Sequence, residues 1–157
     1  MKILISACVF GKNVRWNGTS RINKEIKVWA SDNNFELVPI CPEHELFGTP
    51  RASIRLRQKD DEVLAIMGKE NVYSKLKEKC EELSKRYEDV VGFIGISNSP
   101  SCGLSVGVKD RGSTMKAPMH QSLECPTTEI SSMISRQNQE AFLRRVKKYE
   151  ARRFGTN

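Results

Sequence analysis

Three cysteines are the residues of this chain best suited to chemistry. Cys8, Cys41 and Cys102 each follow closely on a short apolar run of the kind that forms a buried strand; the runs cover residues 2–7, 35–40 and 90–96. The carboxyl ends of parallel strands line one crevice of an open sheet, and ligands bind there. Soft thiolates that meet in such a crevice are typical ligands of a metal ion or an iron-sulfur cluster.

The spacing of the cysteines by itself leaves their role open. Intervals of 33 and 61 residues differ from those of zinc fingers and ferredoxins, which place their ligands a few residues apart. A shared metal site agrees with this spacing, and so do three separately buried thiols, because cysteine is among the most often buried residue types.

The loops that carry these cysteines contain further polar groups with a chemical use. Glu43 lies two residues after Cys41, near enough to exchange protons with whatever the thiolates hold. Arg15 and Arg51 are candidates for binding an anionic substrate at the same edge of the sheet. Each arginine, taken singly, also fits an ordinary surface position.

Two amphipathic segments predict helices between the strands. The first covers residues 20–30 and has Ile22, Ile26 and Trp29 on one face. The second and stronger helix has an apolar stripe at spacings of four, four, three and four residues, formed by Val72, Leu76, Cys80, Leu83 and Tyr87. Because Cys80 belongs to this stripe, it is assigned to the core.

Alternating sequences at 53–57 and 63–67 predict a β-hairpin. The element order is then β-α-β, hairpin, α-β, and its helices supply the crossovers that parallel strands need. The predicted fold class is α/β: a single Rossmann-like domain over residues 1–157 with a small mostly parallel sheet and an inserted β-hairpin. Residues 104–136 are predicted to form a long ordered loop or lid, and residues 137–153 a C-terminal basic helix.

Size and composition bound the class of protein. A chain of 157 residues with 38% hydrophobic and 29% charged residues fits one globular domain. We find no apolar stretch of about 18 residues that would span a bilayer and no secretory cleavage site, so we expect a cytoplasmic protein without a membrane partner.

Five cysteines in a reducing compartment are rarely disulfide partners. The net charge of +7 favours phosphorylated or polyanionic partners, and the oligomeric state stays open.

Four short segments together resemble a known family. They are Ser-Ala-Cys-Val-Phe-Gly-Lys-Asn-Val-Arg-Trp-Asn-Gly at 6–18, Cys-Pro-Glu at 41–43, Thr-Pro-Arg at 49–51 and Ser-Pro-Ser-Cys-Gly at 99–103. In order and separation they are similar to the signature segments of the TudS family of thiouracil desulfidases. The resemblance covers the chain from its first residues to about Gly103, and the combination is much more specific than any one segment.

The resemblance implies a cofactor and a reaction. In this family three cysteines hold a 4Fe-4S cluster and leave one iron without a protein ligand, which assigns Cys8, Cys41 and Cys102 as its ligands here. An open metal position acts as a Lewis acid, and a thiocarbonyl sulfur is a soft donor that suits it. The implied reaction is non-redox: water replaces sulfur in a thiolated uracil base, nucleoside or nucleotide, such as thiouridine monophosphate, and the sulfur leaves as sulfide.

The resemblance also implies roles for polar residues. Glu43 would be the base or proton shuttle, and desolvation beside the thiolates is expected to raise its pKa. Ser99 would position the water or donate a hydrogen bond. Arg15, Arg51 and Ser101 would contact the substrate.

The chain departs from the family pattern in places. From Leu104 onward the usual glycine-rich segment is not kept. Trp16 stands where the family usually has tyrosine, which preserves an aromatic ring able to stack on a base. Cys125, in the divergent part, is a candidate fourth ligand, but a fourth protein ligand would close the open iron.

Two other functions stay open from the sequence. The same site could remove sulfur from thiolated tRNA, with the basic C-terminal helix contacting RNA and a steep salt dependence of binding. Alternatively, the thiolates could form a non-catalytic iron or zinc module or a redox sensor. His44 and His120 could join a zinc site, although a solvated or hydrogen-bonded histidine explains both more simply.

Overall fold

The computed structural model describes residues 1–155, which contain three sheets, six α-helices and one 3-10 helix. The strands are β1 (Lys2–Ser6), β2 (Glu36–Ile40), β3 (Ile54–Lys59), β4 (Glu62–Met67), β5 (Glu70–Asn71), β6 (Gly92–Gly95), β7 (Val106–Gly107), β8 (Thr114–Met115) and β9 (Thr127–Glu129). The α-helices are α1 (Ala7–Phe10), α2 (Lys24–Asp32), α3 (Pro42–Phe47), α4 (Tyr73–Arg86), α5 (Pro118–Ser122) and α6 (Arg136–Phe154), and the 3-10 helix covers Ile130–Ile134. Within the described residues, no helix combines the length and the apolar composition that crossing a bilayer requires.

A four-stranded parallel sheet in the order β2-β1-β6-β9 forms the centre of the fold. Leu4 of β1 lies opposite Val38 of β2 and Phe93 of β6. Almost every residue of β1 and β6 is buried, which explains why both strands appear in the sequence as continuous apolar runs. The α/β class predicted from the sequence is confirmed.

The predicted hairpin is present and is longer than the sequence pattern indicated. β3 and β4 pair antiparallel over six residue pairs, and β5 adds a short third strand. Alternate residues of β3, Ile54 and Leu56, are buried in a small hydrophobic cluster with Val72 and Leu76. The hairpin therefore has a core of its own, separate from the larger core around the parallel sheet.

The first predicted helix begins later than its apolar pattern indicated. α2 starts directly after Asn23, because the Asn23 side chain accepts a hydrogen bond of 3.0 Å from the Ile26 amide and so caps the helix. Ile22 precedes the cap, is 50% exposed and lies beside Gly11. The prediction that Ile22 shares the buried helix face is therefore wrong, whereas Ile26 and Trp29 are buried on that face.

The other two predicted helices form as expected. α4 buries most of the predicted apolar stripe, including Cys80, which has no exposed surface. α6 contains the predicted basic helix 137–153 and buries Phe142 and Val146. Both side chains pack against the backbone of Gly92 in β6, where a Cβ would crowd them. The basic helix is thus attached to the central sheet by its apolar face.

The segment predicted as a long loop contains several short elements instead. Residues 104–136 include the β7–β8 pair, α5, β9 and the 3-10 helix, and β9 joins the central sheet beside β6. The loop prediction is wrong here because β9 has only three residues, Thr-Thr-Glu, which show no alternation of apolar and polar residues. Glu129 of β9 also accepts a hydrogen bond of 3.0 Å from the Leu104 amide, which ties the start of the segment to β9.

Candidate metal centre and active site

A cavity of about 340 Å³ lies at the carboxyl ends of β1, β2 and β6. It is lined by all eight residues that the sequence assigns to cluster binding, proton transfer or substrate contact, namely Cys8, Cys41, Cys102, Glu43, Ser99, Arg15, Arg51 and Ser101. These residues come from four separate stretches of the chain, and the parallel sheet brings them together at one edge. Their chemical roles stay predictions.

Cys8 and Cys41 are each positioned at the start of a short helix. Cys8 lies in the first turn of α1, which follows β1 directly. Cys41 is the N-cap of α3, and its Sγ accepts a hydrogen bond of 3.4 Å from the His44 amide. Burial raises the pKa of Cys8 to about 11; the neighbouring Cys41 adds to this increase and Arg15 opposes it. Burial likewise raises the pKa of Cys41, against the effect of the His44 amide.

Cys102 lies in the loop after β6 and is 3% exposed. Its amide donates to Ser99 Oγ at 3.1 Å, and the Gly103 amide donates to the Ser99 carbonyl oxygen at 2.9 Å, so one serine shapes the turn. Burial, with the nearby Cys80 and Cys41, holds the pKa of Cys102 well above its ordinary value. Because a thiolate and not a thiol binds metal, occupation of the site must release these protons.

The chemistry of the three thiols fits an iron-sulfur cluster. All three are free of disulfide bonds, and they line one cavity from the segments that follow three different strands. Among residues 1–155, no three His, Cys, Asp or Glu side chains gather closely enough to hold a single metal ion. Three soft thiols spread around a shared cavity are the kind of donor set that binds a cluster of several irons.

Within the described chain, neither histidine lines this cavity. His44 Nδ1 shares a hydrogen bond of 2.7 Å with Thr49 Oγ1, and His120 Nε2 shares one of 2.8 Å with the Cys102 carbonyl oxygen. Both are thus hydrogen-bonded histidines, the simpler of the two interpretations of the sequence. Cys125 lines a different cavity, of about 200 Å³, which argues against its service as a fourth ligand beside Cys102.

Glu43 is a buried carboxyl held by two serines. Ser101 Oγ donates to Glu43 Oε2 at 2.9 Å, and Ser99 Oγ donates to the same oxygen at 3.5 Å. Burial raises the pKa of Glu43, although the Arg51 guanidinium and the two hydroxyl groups oppose the increase. The direction agrees with the expectation from the sequence. A carboxyl with a raised pKa is a stronger base than an ordinary one.

Several polar residues of the cavity were not predicted from the sequence, among them Arg55, Ser97 and Asn98. The alternating pattern around Arg55 indicates an exposed strand position but does not show that β3 borders the cavity. Asn98 has a left-handed backbone with φ 61°, which asparagine tolerates. The run of polar residues before Cys102 is the feature of the sequence that could have identified Asn98. Ser97 Oγ is buried without a hydrogen-bond partner in residues 1–155, so it is available to a bound molecule.

Gly95, at the end of β6, is required by the close approach of the Cys102 loop. A Cβ added to Gly95 would collide with the Cys102 carbonyl oxygen and lie 3.0 Å from His120 Nε2.

We expect Gly95→Ala to lower the free energy of unfolding by about 1–3 kcal/mol, as overpacking does, measured by urea denaturation of the metal-free protein. Gly107→Ala is the matched control, since a Cβ there meets no atom within 4 Å. Equal stability of the two variants would contradict this prediction.

The fold and the cavity together define a class of protein: an α/β protein whose parallel sheet gathers three cysteine thiols, a buried carboxyl and two arginines at one edge. A model of the 2-thiouracil desulfurase family matches residues 3–129. The chain therefore belongs to the 2-thiouracil desulfurase family. The match extends beyond Gly103, where the resemblance of the short segments ends, and includes β9.

Among solved structures, the chain is similar to one described as a 4Fe-4S-dependent thiouracil desulfidase, TudS. The two share 20% sequence identity with a TM-score of 0.65, and the match covers 84% of this chain and 92% of that chain. At this identity the likeness shows a common fold. A search of curated proteins finds no match.

Proposed function

We propose that this protein is an iron-sulfur-dependent desulfidase that removes sulfur as sulfide from a thiolated uracil base, nucleoside or nucleotide. The observation that carries the proposal is one cavity lined by three free cysteines, a buried carboxyl and two serine hydroxyls, in a chain of the 2-thiouracil desulfurase family. The proposed net reaction transfers no electrons: the C=S bond is replaced by C=O with the oxygen of water, and the sulfur leaves as hydrogen sulfide.

In this proposal Cys8, Cys41 and Cys102 hold a 4Fe-4S cluster through their thiolate sulfurs. When bound, the cluster supplies an iron without a protein ligand, and this soft Lewis acid suits a thiocarbonyl sulfur. The contribution of the chain is to present three thiols, free of disulfides, on one cavity. Cys125 lies in a separate cavity, which supports three protein ligands.

Glu43 is the residue that we propose takes a proton from the attacking water. Its Oε2 accepts the hydrogen bonds of Ser101 and Ser99, and no hydrogen bond within residues 1–155 uses Oε1, so that oxygen is available to water. The two serines orient the carboxyl, and Ser99 also accepts from the Cys102 amide. The proton held on Glu43 can then pass to the departing sulfur, which leaves the carboxylate ready for another turnover.

A second cavity supports a phosphorylated substrate. It has a volume of about 540 Å³, adjoins the first cavity and shares Arg55 and Asn98 with it. Lys109 lines it as well. Arg57 is a further cation of its lining but is paired with Asp110, with 2.9 Å between Nε and Oδ2. A base bound in the first cavity and a phosphate bound by Arg55 and Lys109 in the second would together accommodate a thiouridine monophosphate.

Thiolated tRNA is less well supported as the substrate. Within the described residues, no residue of α6 lines either cavity, so its basic side chains would contact RNA only at a distance from the site. Arg15 and Ser101, by contrast, lie on the first cavity itself, where they would contact a small substrate. A non-catalytic metal-binding or redox-sensing module would hold the same cluster without turnover.

Anaerobic reconstitution with iron and sulfide tests the proposal. We expect the protein to gain the broad visible absorption of an iron-sulfur cluster and to release sulfide from a thiolated uracil compound in an amount equal to the desulfurated product. Protein loaded with zinc is the control, and it should be colourless and inactive. Failure to bind a cluster, or a bound cluster that releases no sulfide from any base, nucleoside or nucleotide tested, would contradict the proposal.

Thiouridine monophosphate is expected to be a better substrate than thiouridine. A charge-assisted hydrogen bond of about 1.5–3 kcal/mol corresponds to roughly tenfold or more in kcat/KM. Arg55→Ala should reduce this preference, whereas Arg136→Ala, an exposed arginine at the start of α6, should leave it unchanged. Equal kcat/KM for the two substrates would rule out a phosphate site.

A further inference from the structure

Arg51 is held by the loop that follows α1. Its Nη1 donates hydrogen bonds to the carbonyl oxygens of Val14 at 2.9 Å and Gly48 at 3.0 Å, and to Thr49 Oγ1 at 2.9 Å. Its backbone amide donates to the Trp16 carbonyl oxygen at 2.8 Å. A single arginine therefore joins the loop after α1 to the turn that ends α3.

The loop after α1 presents Arg15 and Trp16 to the cavity, and its own hydrogen bonds are short-range. The Gly18 amide donates to the Arg15 carbonyl oxygen at 2.8 Å, and the Arg15 amide donates to the Thr19 carbonyl oxygen at 3.1 Å. Trp16 is 47% exposed, so packing does not fix its ring. Val14 packs against the core of the parallel sheet, and beyond that contact the position of this part of the loop depends on bonds from outside it.

The bonds from outside the loop come chiefly from Arg51. Thr49 Oγ1 also donates to the Val14 carbonyl oxygen, but at 3.4 Å, and Cys41 Sγ lies 3.9 Å from the same oxygen. The two bonds of Arg51 to Val14 and Trp16 are both shorter than 3 Å. Removal of the guanidinium would break the bond to Val14 and leave the backbone bond to Trp16, so the loop would be held from residue 51 at one point instead of two.

We propose that Arg51 is a positioning residue, which holds Arg15 and Trp16 at the cavity and so determines how tightly a planar thiolated base binds; this inference rests on the proposed function. Trp16 offers an accessible aromatic face on which a pyrimidine ring can stack, and Arg15 offers a cation. The two bonds from residue 51 hold the part of the loop that carries both side chains. Arg51 acts through the loop, whereas the sequence predicts direct contact between Arg51 and the substrate.

Arg51 also brings a positive charge to the site. Its effect through this charge can be separated from its effect through the position of the loop. Its guanidinium opposes the increase in the pKa of Glu43 and of Cys41. Arg51→Lys keeps a positive charge but lacks the planar fork that reaches several acceptors in a fixed geometry. Arg51→Lys therefore weakens an effect through the guanidinium bond to the loop, while an effect through charge is largely kept.

Trp16 gives a direct readout of the loop. The chain has two tryptophans, and the other, Trp29, belongs to the core. Acrylamide quenching of tryptophan fluorescence, with Trp16→Phe measured to subtract the signal of Trp29, reports the accessibility of Trp16. In Arg51→Lys we expect quenching of Trp16 to increase and the visible absorption of the cluster to stay unchanged.

The kinetic expectation for Arg51→Lys is a loss of binding without a loss of chemistry. KM for thiouridine monophosphate should rise about tenfold, and kcat should change by less than about twofold. Arg145→Lys is the matched control, because the Arg145 guanidinium also donates to a backbone carbonyl oxygen, that of Thr127, away from the cavity. It should change neither quenching nor KM.

Thr49→Val serves as a second variant, because it removes one acceptor of Arg51 Nη1 together with the weaker bond of Thr49 Oγ1 to Val14. We expect it to change quenching and KM in the same direction as Arg51→Lys and by a smaller amount, and it decides the question if Arg51→Lys does not fold. A fall in kcat at unchanged quenching would mean that Arg51 acts by charge and would overturn the inference. A rise in KM at unchanged quenching would mean direct contact with the substrate and would overturn it too.

The failure of this inference can be told apart from the failure of the proposed function. If the unmodified protein releases no sulfide from any thiolated uracil compound, the proposed function is wrong. The quenching of Trp16 does not depend on turnover, so it still shows whether Arg51 holds the loop. Unchanged quenching in both Arg51→Lys and Thr49→Val would refute the role of Arg51 whatever the activity.

Discussion

Replacing Cys102 with alanine is expected to abolish both cluster binding and sulfide release. Cys102 is almost fully buried, and in the described chain only Cys8 and Cys41 accompany it on the cavity; the nearby Cys80 belongs to the buried stripe of α4 and does not line it. With two ligands left, the cluster should not be retained. After anaerobic reconstitution, visible absorption and sulfide release should both fall to the level of untreated protein. Cys8→Ala and Cys41→Ala should behave alike.

Cys125→Ala is the matched control for the cysteine variants. Cys125 is also a buried free thiol, but it lines a separate cavity. This variant should keep both the absorption and the activity, and thermal unfolding of the metal-free proteins checks that each variant folds. Sulfide release at the full rate by Cys102→Ala without a cluster would refute the proposed role of the three thiols, and so would loss of the cluster in Cys125→Ala alone.

The second large effect is expected for Glu43→Gln. General acid-base catalysis contributes about 10²–10⁴-fold to a rate, so kcat should fall by that factor. The amide oxygen can still accept the Ser101 hydrogen bond that Glu43 Oε2 accepts at 2.9 Å, but the amide cannot take up a proton from water. KM and the visible absorption of the cluster should change little, because Glu43 is not a proposed ligand.

Glu45→Gln is the control for Glu43→Gln, because it removes a carboxylate from the same helix. Glu45 pairs with Arg86 at 3.0 Å on a partly exposed surface, and an ion pair of this kind contributes little. The kcat of Glu45→Gln should therefore equal that of the unmodified protein. A Glu43→Gln variant with a normal kcat would refute the role of Glu43 in proton transfer, and one without a cluster would indicate a structural role.

The arrangement of the cysteines was predictable because parallel topology alone brings strand ends together. Cys8 and Cys41 follow β1 and β2 within two residues, and the apolar runs before them mark buried strands. The topology follows from the order of helices and strands, so the shared cavity needed no knowledge of side-chain contacts. The direction of the pKa shift of Glu43 was predictable for a similar reason: a carboxyl next to a buried thiol loses water.

The sequence did not reveal features that depend on packing between distant segments. β9 is three residues long and polar, and it becomes a strand because the edge of β6 offers it backbone partners. Ile22 is exposed because Asn23 caps the helix after it. The spacing of the apolar residues does not indicate this cap. The hydrogen bond of Arg51 to Val14 joins residues 37 positions apart, so no local sequence pattern predicts it.

The hydrophobic core of the hairpin and that of the parallel sheet meet at the candidate site. Ile54 lines the cavity and belongs to the core of the hairpin, whereas Ile40 and Cys102 line it and belong to the core of the sheet. The cavity is therefore a seam between two units, each with its own packing. A small pivot of the hairpin on the sheet would widen this seam without exposing the interior of either unit, as hinge motions do. The fold thus has a physical means of admitting a flat ring between two separately packed units.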